Sequence, residues 1–323
     1  MPHAIRVDET GSHEVLKWVE VPKAAPGEGE VLIRQTAIGV NFLDVYHRSG
    51  VYDVKPPFVP GSEGAGVVEA VGSGVTDLKA GDRVAYQGLI GGYAEMRLAP
   101  AARLVKIPAG IDDRTAAAAL LKGMTAFYLL RRTFKVERGH TILFHAAAGG
   151  VGTLACQWAA ALGATVIGTV GSDDKRETAR ANGCAHVINY RREDFVARTR
   201  ELTGGEGVAV VYDSVGKDTF PGSLDCLRPL GMWVSFGQSS GLPPPFTTSM
   251  LLQKGSLFAT RPTTAHYFAK RADLVEGAEA TFAAIKDGTI KVAIGAEFAL
   301  REAAAAHRAL ESRATTGSIV LRP

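Results

Sequence analysis

Cysteine is scarce in this 323-residue chain: Cys156, Cys184 and Cys226 are widely spaced and form no CxxC pair. An odd, dispersed set gives neither a disulfide framework nor a zinc site, and reads as small buried thiols of a reducing compartment. Aromatics make up only 7% and do not cluster, which argues against a nucleic-acid surface. An excess of one charge is also missing. A net charge of +3 does not suggest a nucleic-acid scaffold, and it leaves room for a small anionic ligand. Long apolar runs are absent: Lys122 interrupts Ala116 to Leu130, so no segment has the ~20 apolar residues that span a bilayer. Met1 to Arg6 carries no apolar signal core, so a cytoplasmic location is expected. The eight histidines show no HExxH or other paired spacing and read as scattered imidazoles.

What is present suits two domains of roughly 100–200 residues each. The first part is β-rich: Val31 to Arg34 and Gly66 to Val71 are short β-branched runs, and Pro56-Pro57, Pro60-Gly61, Gly72-Ser73-Gly74 and Ala80-Gly81-Asp82 mark turns. Many short strands at close spacing predict a compact, barrel-like domain. Near residue 125 the rhythm changes. Thr141 to Phe144, Thr165 to Val170, His186 to Tyr190, Val208 to Asp213, Met232 to Phe236 and Ser256 to Thr260 read as strands. Helical stretches separate them at Val151 to Leu162, Asp173 to Asn182, Asp194 to Thr203, Phe220 to Leu227 and Thr247 to Gln253. Such alternation predicts an α/β, doubly wound parallel six-stranded sheet. An alanine-rich helical region and a short strand, Ser318 to Leu321, then return to the first domain. The expected division is 1–124, 125–262 and 263–323, with the middle segment an insertion.

Ala147-Ala148-Gly149-Gly150-Val151-Gly152 follows an apolar strand and opens an apolar helix, the context in which a GxGxxG-like turn carries meaning. Gly149 lets the backbone approach a pyrophosphate, Gly152 lets helix and strand pack closely, and Ala147 replaces the first glycine. The helix N-terminus offers free N–H groups and partial positive charge, with Gly150 and Val151 leading it. The second strand ends Gly168-Thr169-Val170-Gly171-Ser172, without the carboxylate that usually grips an adenosine ribose at its tip. Gly171 and Ser172 can donate to a 2′-phosphate and Lys175 can neutralise it, which points to NADPH. Asp173 and Asp174 keep a second reading open: either can accept a 2′-OH, or both can simply complement the next helix N-terminus. Gly237-Gln238-Ser239-Ser240-Gly241 fits a hydrolase GxSxG pattern, but Leu242-Pro243-Pro244-Pro245 follows it in place of the required helix.

Phe144 to Gly152 with Ala155-Cys156-Gln157-Trp158, Asn41 to Tyr46 with Arg48-Ser49-Gly50, Val211 to Gly216, Lys254 to Leu257 and Glu311 to Thr315 together carry a resemblance. They resemble the zeta-crystallin type of NADPH:quinone oxidoreductase, a zinc-free branch of the medium-chain dehydrogenase/reductases, along essentially the whole chain. The resemblance implies a GroES-like β-rich catalytic domain plus a Rossmann NADPH-binding domain. In zinc-dependent members a Cys and a His of the first domain hold the catalytic metal. Asn41 and Ser62 stand at the matching places, and the second metal cysteine would fall around Leu121-Lys122-Gly123, so no tetrahedral zinc site is expected.

The same resemblance places Asn41 and Tyr46 by the nicotinamide and Tyr52 along the substrate cleft, these three being the expected catalytic groups. Thr125 and Tyr128 would border the cofactor, and Gly149, Gly150 and Val151 would meet the pyrophosphate. Gly171, Ser172, Lys175, Tyr190 and Arg313 would grip the 2′-phosphate and adenine, while Phe236 and Ser239 would pack along the nicotinamide ribose. The implied activity is reduction of a small quinone by hydride or single-electron transfer, in a homodimer joined through Met232 to Phe236 and Ser256 to Thr260. Two other functions remain: reduction of an activated C=C bond in an enone or enal, and a nucleic-acid-binding or structural crystallin role, with no nucleic acid expected from the charge.

Overall fold

The structure, a computed structural model, describes residues 1–312 and 315–323. The chain resolves into two compact units: residues 1–124, 268–286 and 292–323 form one, and residues 125–267 and 287–291 the other.

The first unit opens with β1 (His3–Val7), β2 (Leu16–Glu20) and β3 (Glu30–Val40), followed by α1 (Phe42–Ser49). Then come β4 (Glu63–Val71), β5 (Arg83–Gln87), β6 (Met96–Pro100), β7 (Val105–Lys106) and α2 (Asp113–Tyr128), inside which the division between units falls. β3 is the hub of this unit. Its eleven residues pair antiparallel with both β4 and β6. Among the described residues, its core includes an apolar cluster around Val31, Ile33, Val68, Val84 and Leu104 and another around Ile5, Val7, Ile38, Val40 and Leu321. α1 was not legible as a helix from pattern alone, since it is short and carries Asp44 and Arg48 on its buried side.

The second unit runs β8 (Thr141–Phe144), α3 (Gly150–Ala161), β9 (Thr165–Val170), α4 (Arg176–Ala181), β10 (His186–Asn189), α5 (Phe195–Leu202) and β11 (Val208–Asp213). α6 (Gly222–Asp225), β12 (Leu227–Ser235), α7 (Thr248–Gln253), β13 (Phe258–Thr260) and α8 (Thr264–Tyr267) complete it. Among the described residues its sheet has the order β10-β9-β8-β11-β12-β13, all parallel. That is the doubly wound order, with the chain reversing direction of progress between β8 and β11, and ligands of such sheets sit at the carboxyl ends of the strands flanking that point. The strands read as continuous apolar runs because helices cover both faces; β11 is buried at all six positions. β12 begins five residues before the strand expected from pattern, because Arg228-Pro229 obscure its start.

The chain then returns to the first unit through α9 (Arg271–Lys286), β14 (Ile294–Ala299), α10 (Ala303–Glu311) and β15 (Ser318–Arg322). β15 pairs with β3 and β14, so the last strand closes the sheet that the first forty residues began.

Candidate active site

β8 leaves its sheet at His145, and a turn leads into α3. The N-cap of α3 is Gly149 (φ −81°, ψ 173°), which has no side chain, so no side-chain acceptor caps the first N–H groups of the helix, those of Gly150, Val151 and Gly152. Uncapped donors at the positive end of a helix suit a pyrophosphate. Gly152 is required by close approach: a Cβ there would collide with the Ala146 carbonyl and come within 2.8 Å of the Ala147 backbone. The sequence pattern places the missing first glycine at Ala147, but the left-handed residue of the turn is one position earlier. Ala146 has φ 53°, and its carbonyl accepts the Gly149 N–H at 2.9 Å. An L-residue in that conformation costs about 1–2 kcal/mol, strain of the kind found where a backbone must present itself to a ligand.

A buried polar network holds this turn from below. The ring of His145 meets Thr169 Oγ1 at 2.8 Å through Nδ1 and Ser223 Oγ at 3.1 Å through Nε2, and Ser223 donates to Asp213 Oδ2 at 2.8 Å. Burial depresses the pKa of His145, against the opposing pull of Asp213. A neutral ring with its proton on Nε2 accepts from Thr169 and donates to Ser223. Asp213 also accepts the Val215 and Gly216 N–H groups at 2.8 and 3.0 Å and the Thr219 hydroxyl at 2.8 Å. Burial alone would raise its carboxyl. The adjacent imidazole and these hydrogen bonds outweigh burial and hold it below the usual carboxylate range. The loop after β11 is thereby fixed beside the turn after β8. Phe236 leaves β12 with its N–H on the Asp213 carbonyl (2.8 Å) and its ring 5.6 Å from Phe144, while the Ser239 N–H reaches the Ser214 carbonyl at 3.1 Å.

The tips of β9 and β10 bring Gly171, Ser172, Lys175 and Tyr190 together. A Cβ on Gly171 would meet the Tyr190 hydroxyl at 2.9 Å, and the Lys175 N–H reaches back to the Ser172 carbonyl at 3.3 Å. Asp173, which the sequence left open as a ribose ligand, is committed elsewhere. Its Oδ1 takes Arg176 Nε at 2.8 Å and Asn189 Nδ2 at 2.9 Å, and its Oδ2 takes Arg192 at 2.7 Å. Hydrogen bonds from Asn189 and Arg176 hold its carboxyl below the usual range. Thr125 is buried, and Tyr128 stacks on Tyr267 with ring centroids 4.5 Å apart. Arg313 lies outside the described residues.

In the first unit, Asn41 is the N-cap of α1 in a capping-box pairing with Asp44, whose Oδ2 accepts the Asn41 N–H at 2.9 Å. Tyr46 lies further along the helix and Tyr52 folds back beside it. Their rings meet edge to face at 5.2 Å, and the Tyr52 N–H bonds to the Tyr46 carbonyl at 3.1 Å. Behind this group is a cluster that sequence reasoning missed. Asn41 Nδ2 donates to Glu63 Oε2 at 3.0 Å, and Lys122 Nζ donates to the same oxygen at 2.6 Å. The Leu121 N–H takes Glu63 Oε1 at 2.6 Å. Burial raises the Asp44 carboxyl to about 6, although the Ser62 hydroxyl, the Asn41 N–H, Tyr93 and Lys122 all pull it back. Ser62 faces Asp44 without closing a well-formed hydrogen bond. Tyr93 gives its hydroxyl to Asp44 at 3.1 Å and meets His307 Nε2 at 2.9 Å; burial, with the Arg48 charge, pushes His307 down to about 3. The one sequence signal for this cluster is Lys122, the single charge in the apolar run of α2.

These residues answer whether a metal belongs here. Asn41 and Lys122 present an amide and an ammonium already paired with Glu63, and Ser62 adds only a hydroxyl. Among the described residues no group of three or more His, Cys, Asp and Glu is placed to hold a metal ion. An ammonium repels a divalent cation, and the set lacks the thiolate and imidazole ligands zinc prefers, so it does not suit zinc.

Comparison with known proteins identifies the family. A family model described as the alcohol dehydrogenase GroES-like domain matches residues 27–109, and one described as zinc-binding dehydrogenase matches residues 150–276. The chain is 50% identical to the quinone oxidoreductase of Pseudomonas aeruginosa, with all of both chains covered. It is 49% identical to a 2-haloacrylate reductase from a Burkholderia species, covering 100% of this chain and 99% of that one. The crystal structure of Escherichia coli quinone oxidoreductase complexed with NADPH superposes with a TM-score of 0.97 at 48% identity, covering 99% of this chain and all of that one. With a doubly wound sheet, a GroES-like unit and a polar cluster unsuited to zinc, the chain belongs to the quinone oxidoreductase family of the medium-chain dehydrogenases/reductases.

Proposed function

We propose that the protein reduces quinones at the expense of NADPH without a metal. The observation that carries the nucleotide choice is the commitment of Asp173 to Arg176, Arg192 and Asn189. A carboxylate whose two oxygens are both occupied is a poor ligand for a ribose 2′-OH, whereas Gly171, Ser172, Lys175 and Tyr190 suit a 2′-phosphate. Arg313 is assigned to the same grip. The uncapped N–H groups of Gly150 and Val151, with Gly149 before them, take the pyrophosphate; Thr125, Tyr128, Phe236 and Ser239 border the rest of the nucleotide. The unit of residues 1–124, 268–286 and 292–323 serves as the catalytic domain and that of 125–267 and 287–291 as the NADPH-binding domain, five residues beyond the end expected at 262.

Bound NADPH supplies the reducing electrons, as hydride or singly. The chain's own part is binding and orientation. Tyr46 and Tyr52, edge to face and half-buried, hold a planar acceptor and offer hydroxyl donors to its carbonyl oxygen. A quinone is already electrophilic, so a hydrogen bond suffices where an alcohol or simple carbonyl would call for a metal. Asn41 fixes the nicotinamide side from its cap position on α1. The rate advantage then comes mainly from holding the reactants in one geometry.

Similarity to the Burkholderia 2-haloacrylate reductase favours one second reading, reduction of an activated C=C bond by the same groups. NADPH oxidation followed with 1,4-benzoquinone, 9,10-phenanthrenequinone, 2-chloroacrylate and an alkenal separates the two. Turnover of the quinones above that of both alkenes is expected, and the reverse order would replace the main reading. The working unit is a homodimer. Support comes from β13, an edge strand with Phe258 56% exposed, next to Leu230 and Leu252, which are also exposed. Three free, buried cysteines suit a cytoplasmic location.

A further inference from the structure

The carboxylate of Glu63 is fully buried at the start of β4 and takes three donors from two other elements. Lys122 Nζ (2.6 Å) and Asn41 Nδ2 (3.0 Å) share Oε2, and the Leu121 N–H (2.6 Å) holds Oε1. Lys122 is itself only 4% exposed. Gly39, at the end of β3, leaves the space for this carboxylate, since a Cβ there would collide with Glu63 Oε2 and with the Ala117 carbonyl. A buried ion pair of this kind is a poor way to gain stability, because desolvating both charges offsets most of their attraction. Its geometric effect is large. An asparagine amide has a donor end and an acceptor end of nearly equal size. A carboxylate opposite it admits only the NH2 end, so Glu63 at 3.0 Å, seconded by the Gly39 carbonyl at 3.5 Å, sets which way the Asn41 side chain faces. Lys122 in turn holds the Glu63 carboxylate in place through Oε2.

We infer that Glu63, held by Lys122, is a positioning residue that orients Asn41 for the reduction. The inference rests on the functional reading given above. It makes the isolated charge in α2 part of the reaction machinery, acting through Asn41 without touching the acceptor.

The test uses three variants of the full chain, Glu63→Gln, Lys122→Met and the pair together, each measured for melting temperature, NADPH affinity by fluorescence, and kcat and KM for 1,4-benzoquinone. Glu63→Gln leaves a buried ammonium uncompensated, so both stability and turnover fall. The double variant removes both charges and recovers the melting temperature. Its kcat should remain reduced by about 10- to 100-fold with NADPH affinity unchanged, the size of effect expected from a misplaced group near the reacting atoms. Recovery of kcat together with the melting temperature in the double variant would reduce the pair to a structural role and overturn the inference, as would an unaltered kcat in Glu63→Gln. Wild-type turnover of NADPH with quinone, measured alongside, judges the functional reading separately.

Discussion

Replacing Asp44 with asparagine should remove a pH dependence of stability that the wild-type protein carries. Asp44 is fully buried, and burial lifts its carboxyl from the ordinary 3.8 to about 6. A group whose folded pKa lies above its unfolded value stabilises the fold in its protonated form. Its contribution is complete below the unfolded value and is lost as pH rises through the folded one. The rise from 3.8 to about 6 is worth ~3 kcal/mol in full, of which ~1.4 kcal/mol falls between about pH 5 and about pH 7.5. The groups facing this carboxyl are the Asn41 N–H, the Tyr93 hydroxyl, the Ser62 hydroxyl and the Lys122 ammonium, with His307 behind Tyr93. An asparagine can accept from Asn41 and Tyr93 through its oxygen and turn its NH2 toward Ser62, whose hydroxyl has no well-formed partner. Asp44→Asn should therefore be more stable than wild type at neutral pH and converge with it in acid. Urea unfolding of both proteins at the two pH values isolates the term, because every other titrating group is common to the pair. A difference between wild type and variant that stays constant with pH would refute the assignment.

Lys175→Ala should weaken NADPH binding by about 10- to 100-fold, the value of a charge-assisted hydrogen bond, and leave NADH binding nearly unchanged; equal losses for both nucleotides in fluorescence titrations would reject the phosphate grip. Gly152→Ala forces its Cβ into the Ala146 carbonyl. It should abolish measurable NADPH binding and lower the melting temperature, and a variant that binds normally would contradict the close approach. Phe258→Glu places a charge on the exposed edge of β13. Light scattering should then report half the mass expected of the wild-type dimer proposed above, and an unchanged mass would move the interface elsewhere.

The nucleotide-binding unit was legible from the sequence because its physics is local. Parallel strands buried on both faces must be apolar throughout, crossover helices must separate them, and a helix that receives phosphate must begin with glycine. Thr141 to Phe144, Thr165 to Val170 and Val208 to Asp213 fall on strands with those bounds. The resemblance carried by Asn41 to Tyr46 and Phe144 to Gly152 pointed to the family before any distance was measured. The left-handed conformation of Ala146, one position before the replaced glycine, had no sequence signal. Local pattern asks for glycine at the first site of the turn, and it cannot show that the tertiary fit loads the strain onto Ala146.

What the chain alone determined is its two-part α/β plan, its glycine-rich turn at the head of α3 and the lack of zinc ligands in their expected places. Only the tertiary structure decided which charges are spoken for. Asp173 is engaged by Arg176 from its own helical turn and by Asn189 and Arg192 from the end of β10. Glu63, Lys122 and Asn41 became one unit in three dimensions: they lie far apart in sequence, and a buried charge takes its meaning from whatever the fold sets opposite it.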